Sequence, residues 1–522
     1  MSSDSIEDDD DLAQEKQLVN EWSSNSNECL NIRLVRGNGS VAVSCNPEFT
    51  YAMFGEEEAI FGYQDLNINL SFRAHDLQPK LDITYGKIFP VQGEVRPTDI
   101  AKALSDFLPE SAFDNQELGV EADFGPPGEK IHDYKRNGKA YEVWCASLAD
   151  PAAKKLLENM QILVPFFIDG GSVLELEQDW TTQRWKIFLV YEVDGHADAK
   201  NSPYTLAGYG TSYRCFTFPE RQKAVQWDVF SPSSQSLLEI LPSEGEPNEL
   251  SHISDFESPL DLPSRERLSQ FLMLPPFRGA GHGQELYKVM YKHLASPDNI
   301  REFTVEDPNE TFDDLRDFCD LLYLRANVPE FAALRIHTDI PTEKMASTAS
   351  IPTDLIVPID QRKEIMRRTK LMPRQFDRLV EMHTLSFIPV SNRSRNRITR
   401  KEKTTNEHDR QYYFWRLYVK QRLYIFNRDQ LAQVEHAERV EKLEGALDSV
   451  LEAYTEMIER VQTKEEDIAN GQVDGDAAPS TAGATKRKRK VVEEDEDEES
   501  EPGAEQDEVA PGTNGHKKAK AT

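Results

Sequence analysis

The 522-residue chain is long enough for two or three domains, each with its own hydrophobic core. Its 92 Asp and Glu against 60 Lys and Arg give a net charge of -32, which favours a basic partner over nucleic acid, although solubility alone explains an acidic surface equally well. Five scattered cysteines match neither a disulfide framework nor a paired zinc site, and no apolar run has transmembrane length.

The first half of the chain divides into an acidic tail and two predicted α/β regions. Residues 1–15 carry acids and no base, which predicts a disordered tail. Residues 16–162 mix alternating runs with helical patches and predict a mixed α/β N-terminal domain. Residues 163–326 predict a central α/β domain. Within it, residues 220–264 are rich in Ser, Pro and acids, and we interpret them as a mobile or partner-binding insertion.

The most informative part of the central domain is an apolar run followed by glycines and a helix. Residues 271–274 predict a buried strand. Arg278, Gly281 and Gly283 then precede helical spacing over residues 284–294, which places the glycines at a helix N-terminus. Free amide groups there can bind an anion. A plain tight turn is the alternative, and the chain lacks the motifs of P-loop and dinucleotide-binding proteins.

Two carboxylates end the next predicted strand. Residues 302–305 alternate between polar and apolar side chains, and Glu306 and Asp307 follow directly. Pro308 disfavours helix at Asp307, so we expect the carboxylate pair at a sheet edge beside a cleft. Alternatively, Asp307 or Asn309 only caps the helix that follows.

The C-terminal part is predicted to be helical and then disordered. Residues 327–462 predict a helical domain, in which an apolar stripe over residues 431–461 packs on the body or, alternatively, forms a coiled coil with another chain. The basic stretch 391–405 is expected to be a disordered loop. Residues 463–522 predict a disordered tail, and its basic pentad, 486–490, is typical of nuclear import. We therefore expect the protein in cytoplasm and nucleus.

These motifs carry a family resemblance. Residues 271–283 (FLMLPPFRGAGHG) and 304–317 (TVEDPNETFDDLRD) resemble the core of type B histone acetyltransferase catalytic subunits, in the GCN5-related N-acetyltransferase superfamily. Residues 54–63 (FGEEEAIFGY) and 378–382 (RLVEM) are similar to the N- and C-terminal segments of that family. The resemblance implies a central GCN5-related acetyltransferase fold. It also implies acetyl transfer from acetyl-CoA, without a metal, to lysines near the N-terminus of free, newly made histone four.

The resemblance also implies the catalytic residues. A lysine is neutral in only about one molecule in 2,500 at pH 7, so the reaction needs a general base. Glu306 matches the base of the family, and Asp307 would hold the incoming ammonium or share its proton. Asp169 would be a third carboxylate, although the family is expected to have Glu there, so Asp169 would act through a water or only through its field. Prior acetylation of Cys215 or Cys319 is the rival route, and burial as small hydrophobes is the alternative for both.

Coenzyme and histone contacts are implied in the same way. Backbone groups of Phe271, Leu272 and Met273 would bind the pantetheine arm. The pyrophosphate pocket would be formed by Arg278, Gly279, Ala280, Gly281, His282, Gly283 and Gln284, with Asn309 and Phe318 completing it. The histone tail would contact Glu56, Glu57, Glu58, Trp185, Tyr213, Arg214 and Cys215. Alternatively, Trp185 belongs to the core and the three glutamates form a solvated face.

The family further implies a WD40-repeat histone chaperone as partner and a role in chromatin assembly and DNA repair. Two other classes of function stay open. The chain is alternatively an acetyltransferase for another protein or a polyamine, or an acidic histone-binding scaffold without activity. Turnover of acetyl-CoA on free histone four distinguishes the three.

Overall fold

The computed structural model of this protein describes residues 21–91, 93, 95–114, 117–119, 123–176, 179–195, 201–217, 258–346, 349–398 and 406–471. The predicted acidic tail and the basic pentad lie outside the described residues, as do most of the predicted 220–264 insertion and the second half of the basic stretch.

The N-terminal part forms a four-stranded sheet in the order β3-β2-β6-β7, with β2 and β6 parallel. Its elements are β1 (Ser23–Asn25), α1 (Ser26–Cys29), β2 (Leu30–Val35), β3 (Val41–Cys45), α2 (Tyr51–Phe54), β4 (Ala59–Phe61), β5 (Tyr63–Gln64), β6 (Asn67–Arg73), β7 (Pro79–Thr84), β8 (Lys87–Ile88) and α3 (Ile100–Ser105). Alternate residues of β2, namely Leu30, Ile32 and Leu34, are fully buried. This period of two buries one face of the sheet, as in a half-exposed strand.

The central part forms a six-stranded sheet in the order β14-β13-β12-β11-β10-β9. Its elements are β9 (Glu129–Arg136), β10 (Lys139–Ser147), α4 (Pro151–Met160), α5 (Leu163–Phe167), α6 (Asp179–Thr182), β11 (Trp185–Val193), β12 (Tyr204–Phe216), β13 (Ser264–Met273), α7 (His282–Ala295) and β14 (Ile300–Val305). β13 and β14 are parallel, and the other neighbours are antiparallel. The strand, helix and strand predicted around the glycine turn are confirmed.

The predicted boundary between the first two domains, at residue 162, needs correction. β9 and β10 were placed in the N-terminal domain, yet β10 pairs with β11 from Ala140 to Ser147 and so belongs to the central sheet. The pairing buries Tyr141 and Val143 of β10 against that sheet. Pairing between strands distant in sequence leaves no mark in local periodicity, which explains the error.

The C-terminal part is helical, as predicted. Its elements are α8 (Glu310–Asn327), α9 (Pro329–Ala332), α10 (Thr353–Ile356), α11 (Ile359–Thr369), α12 (Pro373–Leu385), α13 (Arg395–Ile398), α14 (Glu407–Phe426), α15 (Arg428–Ala432) and α16 (His436–Ala469). No helix within the described residues is both long and apolar enough to cross a membrane.

The long helix α16 differs from the prediction at both ends. The apolar stripe was read as one helix from residue 431, but Leu431 belongs to the separate helix α15. The buried residues of α16, such as Leu447 and Val461, pack against the body of the protein. The helix also continues past the boundary predicted at residue 463. An ion pair of 3.2 Å between Arg325 and Glu465 ties this extension to α8.

Candidate active site

The candidate catalytic residues lie where two parallel strands separate. β14 pairs with β13 only from Ser264 to Leu268, and the Glu306 amide then donates to the Leu268 carbonyl at 2.8 Å. β13 itself continues to Met273. In the part of the chain that the structure describes, no strand pairs with this side of residues 269–273. A slot therefore opens between β13 and the end of β14.

The backbone of β13 offers polar groups to this slot. A Cβ atom at Gly208 of β12 would lie 2.5 Å from the Leu272 carbonyl oxygen, so that carbonyl points toward β12. Because successive residues of a strand direct their backbone groups to opposite edges, those of Phe271 and Met273 point into the slot. The Met273 carbonyl accepts a hydrogen bond of 2.8 Å from Nε of Arg278. The Phe271 amide is thus directed at whatever occupies the slot.

The glycine turn ends at the uncapped N-terminus of α7. Gly281 precedes the helix with φ +81° and Gly279 has φ +75°, values that favour glycine. No side chain caps this end of α7. The first amides of the helix, at His282, Gly283 and Gln284, have no acceptor within it and can bind an anion.

The slot and the turn form one cleft of about 440 Å³. The predicted residues that line the cleft are Phe271, Leu272, Met273, Arg278, Gly279, Gly281, Gly283, Gln284, Glu306, Asp307 and Asn309. Three predicted coenzyme residues do not line it: Ala280, His282 and Phe318. Strand, turn and carboxylates are therefore brought together as one site.

His282 and Phe318 belong to the packing around the cleft. The His282 ring is buried, and its Nδ1 is 2.8 Å from the Tyr134 hydroxyl. Burial, followed by the charge of Arg136, lowers the pKa of His282 to about 4, so the ring is neutral at pH 7. Phe318 is buried in α8, and Cζ of Arg460 lies over its ring, 5.3 Å from the centroid.

Glu306 is fixed by hydroxyl groups at both of its oxygens. Tyr213 donates to Oε1 at 2.8 Å, and Ser269 donates to Oε2 at 2.6 Å. Nε of Arg267 lies 3.6 Å from Oε1, and the Glu306 side chain is 32% exposed. Burial and the bond to Glu306 raise the pKa of Tyr213, so its hydroxyl stays a donor. Each carboxylate oxygen has a second lone pair, which leaves Glu306 able to accept a proton.

The two residues after Glu306 have different local roles. Asp307 adopts φ +34°, in the left-handed region, which is uncommon for a residue other than glycine. Its side chain lines the cleft and does not cap α8. Asn309 is the cap, since its Oδ1 accepts from the Phe312 amide at 2.9 Å. The capping alternative therefore applies to Asn309, which also lines the cleft.

Asp169 does not line the cleft that contains the carboxylate pair. It is exposed beyond the end of α5, and its Oδ1 accepts from the Tyr51 hydroxyl at 2.9 Å. The cleft is lined by the preceding residue, Ile168, and by Glu48, which the sequence did not single out. Glu48 forms an ion pair with Arg278 from the N-terminal part of the chain. No local motif marks this contact, because the two residues are far apart in sequence.

Trp185 and Tyr213 form an aromatic pair next to Glu306. They are register partners in β11 and β12, and their ring centroids are 4.6 Å apart. Arg214, the next residue, points to the opposite face of the sheet. There its Nη2 and Nε lie 2.6 Å and 2.8 Å from Oε1 of the buried Glu266. Arg214 thus has a structural ion pair, which corrects its prediction as a histone contact.

The three predicted glutamates of the N-terminal part divide in a similar way. Glu56 and Glu57 are exposed. Glu58 is half-buried and anchors the local turn, because its Oε1 accepts from the Thr50 amide and its Oε2 from Nδ2 of Asn27, both at 2.7 Å. Glu58 is therefore engaged within the protein, and its contact with the histone stays a prediction.

The cysteines offer no nucleophile to the cleft. Cys215 and Cys319 do not line it. Burial raises the pKa of Cys319 far above its ordinary value and that of Cys145 to about 12, which keeps both as thiols. Among the described residues, no group of three or more His, Cys, Asp or Glu side chains is arranged to hold a metal ion.

Comparisons with known proteins agree with the geometry. Residues 22–169 match the family model described as "Histone acetyl transferase HAT1 N-terminus". Three similar proteins are each named "Histone acetyltransferase type B catalytic subunit". The one from Aspergillus oryzae is 36% identical, covering 88% of this chain and 90% of that protein. That from Gibberella zeae is 37% identical, covering 84% and 91%. That from Schizosaccharomyces pombe is 28% identical, covering 86% and 96%.

Proposed function

Because the chain belongs to the family of type B histone acetyltransferase catalytic subunits, it is a histone acetyltransferase, and we propose that its substrates are N-terminal lysines of free, newly synthesised histone four. One observation carries the proposed mechanism. Glu306 is held by two hydroxyl groups in the same cleft as the uncapped N-terminus of α7. A base and an anion site thereby lie side by side.

Histone acetyltransferases use acetyl-CoA, and the cleft offers a match for each part of it. The backbone groups of Phe271 and Met273 that face the slot would bond to the pantetheine arm. The free amides of α7 would hold the pyrophosphate. Arg278 would leave its ion pair with Glu48 and pair with a phosphate oxygen, which would add a positive charge to the pyrophosphate site. The Phe271 amide would also polarise the thioester carbonyl.

Glu306 would act as the general base. It would take a proton from the lysine ammonium, and the neutral amine would then attack the thioester carbonyl carbon. The carbon–sulfur bond breaks as the new amide bond forms, and the proton that the amine loses goes to the thiolate of the departing coenzyme. Asp307 would hold the ammonium group before transfer. The transfer is direct and depends mainly on proximity and orientation.

The histone tail would enter past the aromatic pair. Trp185 and Tyr213 offer flat apolar surfaces to the aliphatic stem of a lysine. The exposed Glu56 and Glu57 offer charge to neighbouring basic residues of the tail. The net charge of -32 supports a basic substrate and no direct nucleic-acid binding. From the family resemblance we also propose a WD40-repeat chaperone partner, roles in chromatin assembly and DNA repair, and action in cytoplasm and nucleus.

The test is acetyl transfer from labelled acetyl-CoA to free histone four, to nucleosomes and to spermine. We expect free histone four to be acetylated fastest. Glu306→Gln should lose this activity, whereas the matched control Glu310→Gln, an exposed acid outside the cleft, should keep it. No turnover by the wild type would favour the scaffold alternative. Faster turnover of spermine would favour a polyamine enzyme, and a fully active Glu306→Gln would overturn the assignment of the base.

A further inference from the structure

Three basic side chains from three elements lie near one another, outside the cleft described above, and one of them contacts the glycine turn. Arg136 is the last residue of β9, Lys288 lies in the second turn of α7, and Lys464 lies near the end of α16. A Cβ atom at Gly281 would lie 2.9 Å from Nη1 of Arg136 and 3.3 Å from its Cζ. The guanidinium group is therefore packed directly against the turn where α7 begins.

The three positive charges are close enough to affect one another. Burial, followed by the charges of Lys288 and Arg136, lowers the pKa of Lys464, while the carboxylates of Asp467 and Glu285 act in the opposite direction. The nearby acid Glu285 is already engaged, since its two oxygens lie 3.1 Å from Nε2 of His132 and 3.3 Å from Nζ of Lys288. Like charges held together in this way repel, and a bound anion would relieve the repulsion.

Arg136 has a hydrogen-bond donor available for such an anion. Its Nε atom is buried and has no hydrogen-bond partner among the described residues. No carboxylate in the described part of the chain forms an ion pair with it. A guanidinium group with free N–H donors matches the oxygens of a phosphate monoester better than a single ammonium group does.

The position of Lys464 is fixed by the packing of α16 on α8. One turn earlier, the guanidinium of Arg460 lies over the Phe318 ring of α8, 5.3 Å from its centroid. The neighbouring Glu465 forms its ion pair with Arg325 of α8. These contacts fix the part of α16 that carries Lys464 against α8. The last turns of the C-terminal helix therefore contribute a charge to the surroundings of the glycine turn.

We propose that Arg136, Lys288 and Lys464 bind the 3′-phosphate of coenzyme A. This inference rests on the proposed function, in which the α7 amides hold the pyrophosphate. The 3′-phosphate is attached one ribose ring from the pyrophosphate, and it is a dianion at neutral pH. The cluster lies next to the turn but does not line the cleft, so it is placed for the end of the ligand that emerges from the cleft.

The test compares acetyl-CoA with acetyl-3′-dephospho-CoA, which differs only by this phosphate. With histone four saturating, we expect the wild type to have a KM about tenfold lower for acetyl-CoA, a ratio that corresponds to about 1.4 kcal/mol. In Arg136→Gln and in Lys464→Gln, the ratio of the two KM values should fall about threefold, because only the KM for acetyl-CoA should rise. Their kcat should not change. Lys442→Gln, on the same helix and paired with Glu438 at 3.4 Å, is the matched control and should keep the full ratio.

Two results would overturn the inference. One is equal KM values for both thioesters in the wild type, which would place the phosphate in solvent. The other is a rise in both KM values in the variants, which would mean that the cluster supports the turn and not the phosphate. If the wild type shows no turnover, calorimetric binding of CoA and 3′-dephospho-CoA decides the inference separately from the proposed function. Equal affinities would then reject it.

Discussion

Two carboxylates of this protein each accept a hydrogen bond from a tyrosine, but they differ in their other donors and in their burial. Glu306, in the cleft, accepts from a tyrosine and a serine and is 32% exposed. Glu381 of α12 is fully buried. Its Oε1 and Oε2 accept from Arg422 of α14 at 2.8 Å and 2.9 Å, and Oε2 also accepts from Tyr454 of α16 at 2.9 Å.

The charge of the donors and the exposure of the side chain separate a structural carboxylate from one that is available for chemistry. Arg422 meets Glu381 with two parallel N–H bonds, neutralises its charge and ties three helices together. Glu306 accepts from two neutral hydroxyl groups, and Nε of the nearby cation Arg267 lies 3.6 Å from its Oε1. Glu306 therefore keeps a free lone pair and access to solvent. A charged donor in a buried site serves stability, whereas neutral donors in a partly exposed site leave the carboxylate available for reaction.

The largest expected effect is the loss of activity in Glu306→Gln. Glutamine keeps the shape and can still accept from Tyr213, but it cannot take a proton from lysine. We expect kcat to fall by about 10²–10⁴-fold, the usual contribution of a general base. Stability in urea should change by about 0.5 kcal/mol or less, as is usual for partly exposed sites. A large loss of stability with little loss of activity would make Glu306 resemble Glu381.

The opposite pattern is expected for Glu381→Gln. This change leaves the buried guanidinium of Arg422 without its counter-charge, and breaking a buried pair costs about 3–5 kcal/mol. Urea unfolding should report this loss, while kcat per folded molecule should stay near the wild-type value. The double variant Glu381→Gln with Arg422→Met removes both charges and should recover part of the stability. No recovery would show that the pair itself is not the source of the effect.

Ser269 tests this difference further, because it is one of the two neutral donors to Glu306. We infer that Ser269 is a positioning residue. Ser269→Ala removes one hydrogen bond to a charged group, worth about 1.5–3 kcal/mol, and should lower kcat at least tenfold with a smaller change in KM. Ser269→Thr retains the hydroxyl and should restore most of the rate. Equal losses in both variants would show that the space around Ser269 matters and its hydroxyl does not.

The sequence predicted the parts of the cleft that are contiguous in the chain. The strand, the glycine turn and the carboxylates after β14 each have a local pattern, and the structure brings them together. The contacts of Ser269 with Glu306 and of Glu48 with Arg278 join distant segments. Such pairs depend on strand register and on domain packing, which local periodicity does not encode. The surroundings of Asp169 also depend on a distant residue, Tyr51, and its part in catalysis stays a prediction.

One error could have been avoided from the sequence alone. Tyr213 and Arg214 were both predicted to contact the histone tail. Adjacent residues of a strand point to opposite faces, so both can contact one ligand only at a strand end or a bulge. Residues 213 and 214 lie within the regular pairing of β12 with β13. The period of two therefore favours one of the pair, and the buried Glu266 identifies Arg214 as the structural member.

The smallest expected effect is a loss of stability in mild acid, and it compares the two regions directly. Burial, followed by nearby arginines, lowers the pKa of His282 at the cleft to about 4 and that of His383 in the helical part to about 3. An unfolded histidine titrates near 6.5, so the unfolded chain binds more protons below that pH. Stability should therefore be unaffected by these groups above pH 7 and should fall as the pH drops from 6.5 toward 4. Solvent screening limits the loss to about 1 kcal/mol per histidine at pH 5.5.

Urea unfolding at pH 7.5 and 5.5 should show a smaller difference in the free energy of unfolding between the two pH values for His282→Asn and for His383→Asn than for the wild type. An unchanged difference in His383→Asn alone would mean that the acid sensitivity arises at the cleft, where the neutral His282 ring supports the glycine turn.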